Sequence, residues 1–179
     1  MTLLIGVGSA LGGLMVWTLT EYLVHRFDGH GFRRIIPTHM DHHRDPVNFE
    51  IQPFTPQFLV GFFAFWTGLG WWLGAGPAAL VFVAGFFAGY HYYTWLHNDL
   101  HAEAPRNVYD AWVRRHHFYH HFHDPRVNHG VTSPFWDLVF RTYVPSSERI
   151  RVPRRMAMPW LFDEEAAVRS IYARAYSVF

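Results

Sequence analysis

The sequence predicts an all-α integral-membrane protein, with about three transmembrane helices beneath a histidine-rich helical cap on the cytoplasmic side. Three observations carry this. Apolar blocks long enough to span a bilayer occupy residues 2–24, 54–73 and 78–97, and a span needs about 20 such residues. No Asp, Glu, Lys or Arg occurs between Glu50 and Asp99. The chain holds 14 His and no Cys in 179 residues, and the histidines gather at the block ends.

The first block, "TLLIGVGSALGGLMVWTLTEYLV", carries one ionisable residue, Glu21. It reads as a retained span and not a signal peptide, because it lacks a basic leader and a clear small-residue cleavage site before Glu21. The second block ends at "GAGP" (74–77), a Gly-Pro turn signal, and the third follows at once. Together they predict a membrane hairpin. Aromatic residues cluster near the block ends, as they do at membrane interfaces. Arg26, Arg33, Arg34 and Arg44 lie between the first and second spans, and the remaining Arg follow the third. Three spans therefore put every Arg on one side, which the positive-inside rule makes cytoplasmic. Thirteen histidines fall at or beyond the cytoplasmic span ends, and only His91 lies clearly inside a span.

The C-terminal part, residues 147–179, reads as an amphipathic segment. "SSERIRVPRRMAMPWLF" suggests a stretch lying on the membrane surface. Residues 163–179 predict a helix capped by Asp163, with Val168, Ile171, Tyr172, Ala175 and Tyr176 on one face. That face suits the protein's own core at least as well as a membrane. The whole chain, 1–179, is expected to form one domain.

A net charge of +1 predicts no nucleic-acid partner, and the lack of Cys excludes disulfides, zinc–thiolate sites and iron–sulfur clusters. Any metal must be held by His, Asp or Glu. Four groups of histidines offer that chemistry. His25 and His30 form an H-x4-H pair, which an α-helix would place about 140° apart. Asp28-Gly29 is expected to end the span and let His30 turn back. His39, His42 and His43 form H-x2-H-H, whose members share one helical face. His97 and His101 stand at i, i+4 at the exit of the third span. "RRHHFYHHFHD" (114–124) repeats H-x2-H-H in His117, His120 and His121. One metal takes about four to six ligands, so ten neutral imidazoles predict two metals close together. His116, His123 and His129 break the spacing and are expected to stand outside the ligand set. Asp41, Asn98, Asp99, Asp124 and Asn128 are candidates to hydrogen-bond the ligand rings, against capping or solvation as the ordinary alternative. Trp17, Tyr92, Tyr93 and Trp95 could wall a substrate slot or simply pack. Arg114 and Arg115 are expected to keep their segment cytoplasmic.

These motifs resemble the fatty acid hydroxylase/sterol desaturase superfamily of membrane histidine-box di-iron oxygenases. "EYLVHRFDGH", "HMDHHRDPVNFEIQPFTP", "GYHYYTWLHNDLH" and "HHFYHHFHDPRVNHGVTSPFWDLVFRTY" are each similar to a box of the fatty acid 2-hydroxylases, over about residues 21–143. The resemblance implies that His25, His30, His39, His42, His43, His97, His101, His117, His120 and His121 ligate two iron ions, with zinc able to replace them on purification. It implies O2-dependent hydroxylation or desaturation of a fatty-acyl or sterol-like lipid, with electrons from a separate reductase, ferredoxin or cytochrome b5-type donor. The chain departs from the pattern at Ala102, where another His is usual, at Asp28-Gly29, and at Arg141. It also shows neither the further N-terminal span nor the fused cytochrome b5 domain of some members. Alternative expectations are a carotenoid ring hydroxylase, a membrane haem or metal-binding protein without oxygenase activity, and a zinc hydrolase.

Overall fold

The computed structural model describes residues 2–48 and 54–179, and its ordered elements are mainly helical. Helix α1 runs Leu3–Leu23 and continues without a break into a π-helical stretch, Val24–Phe32. Helix α2 (His39–Arg44) is short, α3 (Pro56–Trp72) and α4 (Pro77–Ala102) form a hairpin, and α5 (Val108–Phe122) and α6 (Phe135–Val139) follow. Two three-residue strands, β1 (Ile150–Val152) and β2 (Tyr176–Val178), pair in parallel. Among the described residues one helix, Leu3–Phe32, is long and apolar enough to cross a membrane by hydropathy.

The α3–α4 turn depends on glycine, since Gly74 and Gly76 both have positive φ (78° and 50°), a region that costs other L-residues energy. Helix α1 packs closely along α4. A Cβ on Gly13 would strike the backbone of Phe82, and one on Gly85 would strike that of Ala10. Small residues bring apolar helices together in this way where burial from water supplies little force. Trp17 fills the space below, against Phe54, Phe86, Tyr90 and Tyr93, with ring centroids 5.3–5.5 Å apart. Helix α3, by contrast, buries none of its residues.

The C-terminal segment differs from its predicted form. Residues 163–179 are turns ending in β2, with no helix. Asp163 does accept hydrogen bonds from the N–H groups of Glu165 and Ala167, but the chain then passes through Ala166 at φ 59° and cannot continue as a right-handed helix. Part of the predicted apolar face goes to the protein's own interior, while Ile171 stays exposed. Tyr176, Tyr172 and Ala175 pack with Phe118, Ile150, Met158, Trp160 and Leu161 in a second core beneath α5. Residues 147–162 therefore also turn their apolar side inward, leaving Arg149, Arg151, Arg154 and Arg155 exposed.

Candidate metal centre

The first histidine pair owes its geometry to the π-helical stretch. A π-helix closes its hydrogen bonds at i→i+5, so residues five apart stand one above the other. His25 and His30 accordingly stack, with centroids 5.4 Å apart. This corrects the expectation that Asp28-Gly29 ends the span: the helix passes through both residues. Asp28 acts after it. Its carboxylate accepts from the backbone N–H groups of Arg34, Ile35 and Ile36, each at 2.8 Å, and folds the next loop back over the helix. Gly29 leaves room for that loop's product, because a Cβ there would lie 2.8 Å from the His39 ring and 2.9 Å from Ile36.

Helix α2 then presents His39, His42 and His43 on one face, and the last turns of α4 present His97 and His101. Helix α5 presents His117, His120 and His121. All ten rings meet, and they divide into two sets of five. One is His25, His30, His39, His43 and His120; the other is His42, His97, His101, His117 and His121. Within each set the available nitrogens lie within 4.8 Å of one another. The sets adjoin where His43 stacks on His121, 4.0 Å apart and nearly parallel.

The nitrogen arrangement suits metal ions. His30 Nε2 lies 3.0 Å from His120 Nε2 and 3.2 Å from His39 Nε2, and His43 Nε2 lies 3.0 Å from His39 Nε2. In the second set, His42 Nε2 is 3.2 Å from His97 Nε2, and His101 Nε2 is 3.0 Å from His117 Nε2. Metal–imidazole bonds of about 2.0–2.1 Å place adjacent donors about 3 Å apart and opposite ones about 4 Å apart. His25 Nε2 and both nitrogens of His121 are buried without a hydrogen-bond partner. Burial, reinforced by the surrounding imidazoles, holds His39, His43, His117, His120 and His121 well below the usual histidine pKa. They are therefore neutral at pH 7, which is the ligating form.

Several rings are fixed from behind by groups the sequence does not advertise. His25 Nδ1 donates to the carbonyl of His129 at 2.5 Å, and His120 Nδ1 donates to that of Val127 at 2.7 Å. His97 Nδ1 meets the Tyr93 hydroxyl at 3.2 Å. An Nδ1 that donates leaves Nε2 as the lone-pair nitrogen, aimed into the cluster. Four of the five polar side chains proposed for this role are occupied elsewhere. Asp41 pairs with Arg44, Asp99 with Arg106 and Arg114, and Asp124 with Arg126. Asn128 binds the backbone of Val144 and the carbonyl of His116. Asn98 lines a cavity of about 290 Å³ with His42, His101, Ala102, Pro46, Val47 and Pro159.

The segment 127–134 that brings these carbonyls is itself anchored by two buried carboxylates. Asp137 accepts from the N–H groups of His129 (2.9 Å) and Gly130 (2.8 Å) and from the Thr142 hydroxyl (2.7 Å). Glu21, on α1, accepts from the N–H groups of Val131 (2.6 Å) and Thr132 (2.9 Å) and from the Thr132 hydroxyl. Glu21 was visible in the sequence as the one ionisable residue of the first block. An ionisable group in a span has a buried partner by default, and here that partner is a loop more than 100 residues later.

Arg114 has a packing role that its sequence position does not reveal. It is fully buried, and it bonds the Asp110 carboxylate, Asp99 Oδ2 at 2.9 Å, and the carbonyls of Asp99 and Glu103, both at 3.1 Å. It thereby locks the end of α4, with His97 and His101, to α5, with His117, His120 and His121. Trp160 of the C-terminal layer stacks beside it and donates to the carbonyl of His101 at 3.2 Å.

The remaining residues separate by exposure. His91 and His123 are exposed, and His116 is buried 3.6 Å from Asp137. Trp17 and Tyr93 are buried, while Tyr92 and Trp95 face outward. Residues Phe49–Pro53 of the second histidine box lie outside the described residues.

Comparisons with known proteins point to one family. The sequence model of the fatty acid hydroxylase family matches residues 10–142. Fatty acid 2-hydroxylase of Rattus norvegicus is 30% identical over 152 residues, 78% of this chain and 40% of its own length. Dihydroceramide fatty acyl 2-hydroxylase FAH1 of Arabidopsis thaliana is 29% identical, over 73% of this chain and 58% of its own length. Ceramide very long chain fatty acid hydroxylase scs7 of Schizosaccharomyces pombe is 32% identical, over 74% of this chain and 41% of its own length. A solved structure described as full-length scs7p, with only the hydroxylase domain visible, superposes with a TM-score of 0.67 at 31% identity, covering 80% of this chain and 58% of that one. The chain thus spans between about two-fifths and three-fifths of the length of these relatives.

Proposed function

Because the chain belongs to the fatty acid hydroxylase family, we propose that it is a membrane oxidoreductase that hydroxylates a lipid with O2 at a pair of iron ions. The substrate class is a fatty-acyl chain or a sterol-like lipid, and the relatives named for fatty acids and dihydroceramides favour the acyl chain. The observation that carries the reading is the division of ten imidazoles into two adjoining sets of five. In this reading His25, His30, His39, His43 and His120 hold one ion, and His42, His97, His101, His117 and His121 hold the other. The three apolar helices α1, α3 and α4 lie in the membrane, with the histidines at its cytoplasmic face.

When bound, the metal pair supplies the O2 chemistry that an unactivated C–H bond requires. The balanced conversion takes a methylene, O2, two electrons and two protons to an alcohol and water, the electrons coming from a separate donor protein. The chain's own residues orient and enclose. The carbonyls of Val127 and His129 fix the rings of His120 and His25. The Asp99–Arg114–Asp110 network fixes α4 against α5. The cavity beside His42 and His101 gives the second set a route to its surroundings, and Ala102 on its wall leaves that route wider than a larger side chain would.

The test uses His43→Ala and His121→Ala, one from each set. Both variants are expected to insert normally, carry less metal than the parent, and form no O2-dependent lipid product in cells. A variant with full metal content and full product would contradict the reading. Zinc in a purified sample would answer to the same imidazoles, so metal content is compared after anaerobic loading with iron.

A further inference from the structure

We infer that residues 131–140 dip into the membrane beside α1, and that the cleft between this segment and α1 holds one acyl chain of a bilayer phospholipid. The inference rests on the membrane placement of α1 in the reading above, and on nothing about the metals. Helix α6 is inside out for an element in water. Its one charged residue, Asp137, is fully buried, whereas Phe135, Leu138, Val139 and Phe140 are 44–57% exposed. An apolar patch of this kind marks a contact with another apolar body.

Position along α1 says which body. The Trp136 indole N–H donates to the Thr18 hydroxyl at 3.0 Å, and Phe140 stacks on Tyr22 at 5.2 Å. Thr18 stands eight residues before Arg26, the first basic residue. At 1.5 Å per residue, α6 therefore meets α1 about 12 Å deeper than that charge. A cavity of about 520 Å³ continues further in, lined by Leu11, Leu14, Met15 and Thr18 of α1 and by Ser133 and Phe135. Its α1 wall runs about 10 Å along the helix and carries no charge. The exposed Leu4 and Val7 lie on the same helical face. An uncharged cleft that continues the outer face of a membrane helix takes a hydrocarbon chain.

Backbone outside a regular helix survives at membrane depth only where the protein meets its polar groups. The turn into α6 is supplied in this way. Glu21 takes the N–H groups of Val131 and Thr132 and the Thr132 hydroxyl. The Ser133 hydroxyl takes the N–H of Phe135 at 3.2 Å, and Pro134 has no N–H to satisfy. The N–H groups of Leu138 and Phe140 donate to the carbonyls of Pro134 (3.0 Å) and Trp136 (2.9 Å). A carboxylate within the first apolar block then has a reason to be there: it closes the hydrogen bonds of a loop that enters the same layer. The chain just before that loop supplies the carbonyls behind His25 and His120, so the bilayer contact and the histidine cluster share one segment.

The chain has no Cys, so a single introduced one carries a nitroxide label without ambiguity. Full-length Leu11→Cys, Leu138→Cys and the exposed control His123→Cys are labelled in phosphatidylcholine vesicles. Relaxation of each label by O2, which enters the bilayer, is compared with relaxation by a water-soluble nickel chelate. Labels at 11 and 138 are expected to respond to O2 and to lose the chelate response that the label at 123 shows. If 138 responds to the chelate as 123 does while 11 stays protected, residues 131–140 lie in water and the inference is wrong. If 11 responds to the chelate as well, α1 is not a span and the membrane reading itself fails. Should Leu138→Cys not fold, Val139→Cys is read by the same criteria. The occupant of the cleft is read on the unmodified protein, with phosphatidylcholine carrying a diazirine in mid-chain. Cross-links to Leu11, Leu14 or Met15 together with Phe135 are expected. Cross-links confined to α3 and α4 would show that no lipid chain enters the cleft.

Discussion

At the residue scale, the account depends on small groups that permit or aim the histidines. Gly29 is the clearest. Any side chain there must displace the His39 ring or Ile36. Overpacking of this kind costs about 1–3 kcal/mol, and here the displaced atom is a proposed ligand. Gly29→Ala is therefore expected to lower retained metal more than it lowers the yield of folded protein, measured by elemental analysis of detergent-purified samples. Unchanged metal content would show that His39 does not need its present position. The histidines themselves were legible, because H-x2-H-H repeats and an i, i+4 pair are side-chain patterns. The carbonyls of Val127 and His129 were not, because any residue supplies a carbonyl and only the folded backbone aims it.

At the element scale, two features decide how the rings meet. The π-helical stretch reconciles an H-x4-H spacing with a shared face, and no α-helical reading of Val24–Phe32 could have found it. The second is the buried guanidinium of Arg114, which joins α4 to α5. Removing one partner of a buried ion pair typically costs about 3–5 kcal/mol, since it strands the others. Arg114→Met is expected to lower the melting temperature sharply and to release metal, whereas Arg115→Met, whose guanidinium reaches only the carbonyls of Ser146 and Glu148, should be mild. Equal melting temperatures for the two would remove Arg114 from this role. In sequence the two arginines are neighbours with the same composition around them, and burial alone tells them apart. The C-terminal segment failed as a predicted helix for a related reason. Its apolar spacing was real, but the residues serve a layer of turns and a two-strand ladder whose partner residues, in β1, lie 26 positions earlier.

At the scale of the whole molecule, the helical fold and the collection of histidines at one end of the apolar helices were legible from composition and spacing. Glu21 and Asp137 link that end together across the length of the chain, and long-range pairings leave no local signature. Packing so many imidazoles into one interior also makes the metal-free protein sensitive to acid. Burial lowers the His129 pKa from 6.5 to about 4, and the cluster rings outside the membrane helices are lowered in the same direction. Below pH 6.5 the unfolded chain then binds more protons than the folded one, so stability falls as pH falls from about 6.5 towards 4. Thermal melts of the metal-free protein should show the midpoint steady above pH 7 and declining across that window. A midpoint independent of pH from 7 to 4 would contradict the buried, neutral cluster.

The central claim is that this histidine cluster inserts an oxygen atom from O2 into a lipid. It is tested most directly by growing cells that express the protein under 18O2 and analysing their lipids by mass spectrometry. The account predicts hydroxylated lipid carrying one 18O atom in cells with the parent protein and none with His43→Ala or His121→Ala. Unlabelled product, or labelled product in equal amount from the variants, would contradict it.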